Sequence, residues 1–118
     1  MYFKLQMIKL KLISLYLYIM TQISLEEILK QKINELAQFL ISNCRDTEKI
    51  NLINDKLSNL KFYEIMFFVS FLDLTKIDTY INEFINSYSI EDTIDIRDKI
   101  KDYLEYFIKV KDIISTNQ

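Results

Sequence analysis

The sequence predicts an all-α fold, a compact bundle of four to five helices, on three observations. The 118 residues include no glycine and no proline, the residues that supply hairpin turns and strand kinks, so turn-rich β folds are disfavoured. Half of the chain is apolar, 14% is aromatic and the formal charge is only −2; that is enough apolar surface to bury a core and too little charge to hold the chain open. From residue 21 onward, apolar residues recur at spacings of three and four behind residues that cap helices.

Residues 1–20 form an apolar and basic segment, set apart from a single domain over 21–118. Lys4, Lys9 and Lys11 precede an apolar run from Leu12 to Met20, far short of the roughly 20 residues of a membrane span. A secretory signal would need small residues at a cleavage site, where the chain reads Tyr18-Ile19-Met20-Thr21-Gln22. Two readings stand: an extra helix or strand packed on the domain, or a translated leader before a natural start at Met20. No membrane span is expected.

Each helix of the domain is argued from its start. Ser24-Leu25-Glu26-Glu27 is a capping box that opens helix one, on which Leu29, Ile33, Leu36 and Leu40 share a face. Asn43 to Asp46 break the pattern, and Asp46 or Thr47 caps a short second helix carrying Ile50, Ile53, Leu57 and Leu60. Residues 61–74 are apolar nearly all round, which predicts a central hydrophobic helix. Thr75 with Asp78, then Ser89 with Asp92, repeat the cap signature and open helices four and five. Helix four carries Ile77, Ile81, Phe84 and Tyr88 on one stripe. Helix five, over about 90–115, is long and amphipathic.

Helix five carries the two most regular patterns in the chain. Ile96, Ile100, Tyr103, Phe107, Val110 and Ile114 follow an unbroken spacing of four and three, which suits an intramolecular bundle seam or an oligomer seam. The intramolecular reading is preferred; Leu104 and Ile108 flank the seam and widen its apolar face beyond what one neighbouring helix would cover, which keeps a dimer open. On the opposite side, at 100° per residue, Glu91, Asp95, Asp98, Asp102 and Glu105 fall on one stripe. Like charges at these spacings repel by a few tenths of a kcal/mol per pair, so the stripe does not stabilise the helix. It is either a solvated face, partly neutralised by Lys99, Lys101 and Lys109, or a recognition surface for a basic partner.

Composition excludes whole classes of chemistry. Without glycine there is no phosphate-cradling loop. Without histidine, and with Cys44 as the lone cysteine, the chain has no Ser-His or Cys-His pair and cannot build a structural zinc site from its own residues. Cys44 reads as an incidental residue at a helix end, and the absence of a cysteine pair suits a reducing cytoplasm. Residues 61–95 hold seven acids against Lys61 and Lys76, but no apolar pocket is evident that would separate two carboxylates into an acid and a base. No metal, cofactor or catalytic residue is therefore expected, and the chain is read as a non-enzyme.

The aromatics fall mostly at core periods, as Phe39, Phe84 and Phe107 do, with Tyr63, Tyr80 and Tyr106 the best placed to reach the surface. Stacking on single-stranded nucleic acid would need a cationic groove, and a pI near 5.2 offers none, so nucleic acid is an unlikely direct ligand. Heavy use of Ile, Lys, Asn, Tyr and Phe fits an AT-rich genome. These points converge on a non-enzymatic protein-interaction module or small helical subunit of a larger complex, bound to a protein partner or to itself as a homodimer. The alternative is a nucleic-acid-associated accessory subunit, or a viral or plasmid-encoded protein that grips a basic host surface through the acidic helix face.

Overall fold

A computed structural model of the chain describes Leu15 and residues 24–116. Apart from Leu15, the readings made for residues 1–20 lie outside the described residues. Five α-helices build the bundle and no strand forms among the described residues. Helix α1 covers residues 24–42; α2 is Thr47–Ile53, extended by a π-helical turn over Asn54–Ser58; α3 is Phe62–Ser70; α4 is Ile77–Tyr88, led in by one 3₁₀ turn over Leu74–Lys76; α5 is Ile94–Thr116.

The expected face of α1 is the floor of the core. Leu29, Ile33, Leu36 and Leu40 are all fully buried, joined by Ala37. Ser24, at the head of the predicted capping box, is the first described residue of this helix. The same buried cluster takes in Ile53 and Leu57 of the second helical segment, Ile81 and Ile85 of α4, and Ile100, Leu104 and Phe107 of α5. Every fully buried residue among those described is apolar, so the core contains no polar group that needs a partner.

Caps explain where the helices begin, and two expected caps are corrected. Asp46 caps α2 as read, its carboxylate accepting from the Glu48 amide at 3.1 Å. Before α4 the cap is Asp73, not Thr75: its carboxylate accepts from the Thr75 amide at 3.0 Å and the Thr75 hydroxyl at 2.9 Å. An anionic acceptor two residues upstream outcompetes a hydroxyl for the free amides, and a 3₁₀ turn bridges the gap. Before α5 the cap is Thr93, whose hydroxyl accepts from the Ile96 amide at 3.2 Å.

Ser89 has a different task. It lies in the left-handed region at φ 53° and ψ 46° and ends α4, while the Ile90 amide reaches back to the Ile85 carbonyl at 3.0 Å and Ile90 itself is buried. This is the Schellman ending that glycine usually occupies, and a chain with no glycine fills it with serine at some cost. Ser89→Gly is expected to stabilise the fold by about 0.5–1 kcal/mol, read as a rise of roughly 4 °C in thermal midpoint; Ser89→Val is expected to lower it.

Two loops clasp each other at this end of the bundle. The Arg45 amide donates to the Ser89 carbonyl at 3.0 Å and the Glu91 amide to the Asn43 carbonyl at 2.9 Å. The Cys44 thiol donates to the Tyr88 carbonyl at 3.0 Å. Cys44 is thus a half-buried tie between loops rather than an incidental helix end. Asp92, free of the capping duty expected of it, forms a two-pronged pair with Arg97, at 2.6 Å to Nε and 3.1 Å to Nη2, while Nη1 donates to the Asn82 side chain of α4 at 2.9 Å.

Two carboxyls have pKa values below the ordinary 3.8: Asp92, through its bonds to Arg97, and Asp73, through its bonds to Thr75. A carboxyl depressed by folding contributes stability that is present above the unfolded value and is lost as pH falls through the folded one. Thermal midpoints are therefore expected to decline below about pH 4. Asp92→Asn is expected to flatten part of that acid limb while lowering the midpoint at neutral pH.

The central place expected for the 61–74 helix is corrected. The helix is shorter, and only Ile65 and Val69 within it, with Leu72 just beyond, are buried. An apolar run on all sides of a helix leaves open which side is covered. Here the other elements cover one side and leave the other facing solvent. The long C-terminal helix is amphipathic as expected, and among the described residues no helix is long and apolar enough to cross a membrane.

Candidate functional site

The uncovered side of α3 is the most unusual surface on the described chain. Glu64 closes the start of the helix by accepting from the Lys61 amide at 3.2 Å. At the other end the Tyr80 hydroxyl donates to the Phe71 carbonyl at 3.2 Å and accepts from the Asp73 amide at 3.1 Å, and Lys111 of α5 donates to the Leu72 carbonyl at 2.8 Å. Ile65, Val69 and Leu72 then anchor one side in the core. What these constraints hold outward is a stripe at spacings of four: Tyr63, Phe67 and Phe71, exposed by 69%, 67% and 67%; Leu74, exposed by 60%, lies beyond the helix end beside Lys101 and Glu105 of α5.

The stripe is a ridge with a trough beside it. Phe67 and Phe71 meet edge to face, their centroids 4.7 Å apart at 70°. Between this ridge and α4 lies a hollow of about 330 Å³, walled by Phe68, Phe71, Leu72, Tyr80, Phe84 and Tyr88, with Glu83 and Ser87 as its polar members. Phe68, Phe84 and Tyr88 also line a shallower hollow of about 570 Å³ that runs on past Tyr63 and Phe67 towards Leu57 and Leu60, with Lys56 and Glu64 as its charges. Burial in this wall pushes the Tyr88 phenol above its ordinary pKa, so it stays a neutral hydroxyl.

A side chain of this size offers roughly 150–250 Å² when fully exposed. The three residues of the stripe therefore present on the order of 300–500 Å² of mainly apolar surface, the size of the largest patch on a typical monomer. Covering each residue is worth about 1.5–3 kcal/mol.

The two patterns singled out on helix five are placed differently. Ile96, Ile100 and Phe107 of the regular seam are buried in the chain's own core, while Tyr103, Val110 and Ile114 are only half-buried. Tyr103 lies against Phe39 of α1 at 6.2 Å and under the Lys99 ammonium at 5.5 Å. Leu104 and Ile108, expected to flank the seam and keep a dimer open, are buried inside the bundle. The buried face of α5 is thus rotated towards them, because α1 and α3 both pack on this helix and cover a wider arc than one neighbour would.

The acidic stripe is only partly formed. Asp95, Asp98 and Asp102 are exposed on α5. Glu105 is half-buried with Lys101 at 4.0 Å. Glu91 precedes the helix and belongs to the loop clasp, 3.6 Å from Arg45. No hollow adjoins Asp95, Asp98 and Asp102 among those lined above. Among the described residues no three His, Cys, Asp or Glu side chains stand where they could share a metal ion.

The aromatic face is not evident from the sequence reading because Phe67 and Phe71 fall in the segment expected at the centre, with Tyr63 alone expected at the surface. The signal was present: Tyr63, Phe67 and Phe71 at spacings of four give the outer side of α3 its own apolar stripe, duplicating the one through Ile65, Val69 and Leu72. Of the three tyrosines expected at the surface, Tyr63 reaches it, while Tyr80 and Tyr106 are half-buried. Phe39 and Phe84, expected in the core, are half-buried at its margin.

Comparison with protein families, with curated proteins and with solved structures gives no significant match.

Proposed function

We propose that this chain is a non-enzymatic protein-interaction module, a small helical subunit that docks its partner on the aromatic face of α3. The observation that carries the reading is the two-thirds exposure of three aromatic side chains, Tyr63, Phe67 and Phe71, on one stripe. Such a stripe is costly to leave in water, and aromatic anchors beside a pocket are what dominate binding energy at protein interfaces. A reducing cytoplasm suits the lone, hydrogen-bonded Cys44. The acidic residues of α5 contribute surface charge that favours a basic partner's approach.

The nucleic-acid alternative has the aromatics but not the charge. Around the face, Lys56, Lys61, Lys76 and Lys111 are interspersed with Glu64, Asp73 and Glu83, and Lys111 is drawn to the Leu72 carbonyl, so among the described residues the charges nearly cancel and no cationic groove runs beside the rings to hold a phosphate backbone.

A photoreactive phenylalanine at position 67, in the cell that makes the protein, is expected to form a covalent adduct with a protein. The same residue at position 98 is expected to form none. An adduct at 98 and none at 67 would move the docking surface to α5 and overturn the reading.

A further inference from the structure

We propose that the partner on this face is a second copy of the chain, with the two α3 helices antiparallel across a twofold axis beside Phe67. The inference rests on the reading of the face as a docking surface and names its occupant. A twofold interface requires that each residue at a given distance before the axis meet a suitable residue at the same distance after it. The stretch from Leu60 to Leu74 has that property about Phe67. Four residues either side stand Tyr63 and Phe71, six either side Lys61 and Asp73, and seven either side Leu60 and Leu74.

Near the axis the burial pattern follows the same mirror: Ile65 and Val69, two residues either side, are both buried, Met66 and Phe68 are both half-buried, and Tyr63 and Phe71 are both about two-thirds exposed. Glu64 and Phe62 are half-buried where Ser70 is exposed and Leu72 buried, and half-buried Leu60 faces exposed Leu74, so the symmetry lies in the central pairs and in the end charges. The chain is extended at Lys61 and again at Asp73, so both charges flank the helix at its ends. Antiparallel pairing brings the Lys61 of each copy to the Asp73 of the other, two ion pairs of the right sign, whereas a parallel pairing would set like charges together.

Shape agrees with charge. The Phe67–Phe71 ridge and the trough beside it run along the same helix, so each copy can lay its ridge in the other's trough, the ridge-into-groove packing of helices. The stripe and the half-buried walls of Phe68, Phe84 and Tyr88 form one continuous apolar patch, and a standard interface of roughly 800 Å² per partner would extend from it onto its polar rim. An unrelated partner would require neither the mirrored residues nor the opposite charges at the two ends.

Sedimentation equilibrium on the full chain tests this. At about 100 µM the wild type is expected at twice the 14.3 kDa chain mass, and Phe67→Glu at the single mass with unchanged helical circular dichroism. Lys61→Glu and Asp73→Lys each set like charges opposite in their own dimers and are expected to weaken them about tenfold at low salt. An equimolar mixture of the two is expected to regain dimer, because both end pairs are then opposite in sign. Should Asp73→Lys fail to fold, Phe67→Cys in a Cys44→Ser background is expected to form an interchain disulfide at the axis on mild oxidation.

A wild type that stays monomeric, a dimer that survives Phe67→Glu, or mixed variants that remain monomeric would overturn the proposal. If the chain is monomeric yet photoreactive residue 67 captures another protein, only the second copy is excluded and the docking face stands. If residue 67 captures nothing, both readings fall.

Discussion

Phe107→Ala is expected to remove about 3–5 kcal/mol of folding stability, measured by urea unfolding followed by circular dichroism. That is a large part of the 5–15 kcal/mol available to a domain of this kind. Phe107 is fully buried at the point where α5 meets α3. Its ring stands edge-on to Phe68 at 6.2 Å and to Tyr106 at 5.9 Å. Truncation leaves a cavity under α3 that neighbours on three helices cannot close without losing their own contacts. Leu104→Ala should cost about 2–5 kcal/mol and Val110→Ala no more than about 1 kcal/mol. That order reports the rotated burial of α5, since the regular heptad seam would make Val110 a core position and Leu104 a flank.

Phe67→Glu is expected to do the reverse, leaving the fold intact and abolishing association. The side chain is two-thirds exposed, so stability should shift by no more than about 0.5 kcal/mol. At the centre of an interface, truncating an aromatic anchor costs about 2–4 kcal/mol of binding, and here a carboxylate is buried as well. Affinity is therefore expected to fall roughly 30- to 1000-fold. Phe71→Glu should follow it, whereas Ile94→Glu, on another exposed apolar residue, should leave both stability and association unchanged.

Sequence periodicity located the helices well and their orientation less well, for a physical reason. Where polar and apolar residues alternate clearly, as on α1, the buried face follows at once: Leu29, Ile33, Leu36 and Leu40 had one side on which to be buried. On α5 the apolar arc is wide, running from Val110 round to Ile108, and the choice of its buried centre depends on which helices pack against it. That is a tertiary fact. The same ambiguity misplaced α3, where residues 61–74 offer an apolar side in every direction and the sequence contains no statement of which direction has neighbours.

Caps were legible in kind and shifted in place. Thr75 and Ser89 were read as openers of helices, but Asp73 and Thr93 hold those positions, and Ser89 closes a helix in a conformation that glycine would normally supply. The acidic stripe was legible on α5 only from Asp95 onward, because Glu91 is drawn into a loop clasp by Arg45, a contact between residues 46 positions apart. The aromatic face could have been seen in the spacing of Tyr63, Phe67 and Phe71, but its meaning depended on the side of α3 that the bundle leaves open.

The central claim is that this face is open in the isolated chain and covered in the working assembly. Hydroxyl-radical footprinting measures it directly, by the oxidation of Tyr63, Phe67 and Phe71 as protein concentration is raised. The account predicts fast oxidation of all three in dilute protein and joint protection of the three on association, with Ile94 and Ile28 oxidised at an unchanged rate throughout. Slow oxidation in the dilute chain, or protection that falls on Ile94 and α5 while the α3 stripe stays reactive, would contradict it.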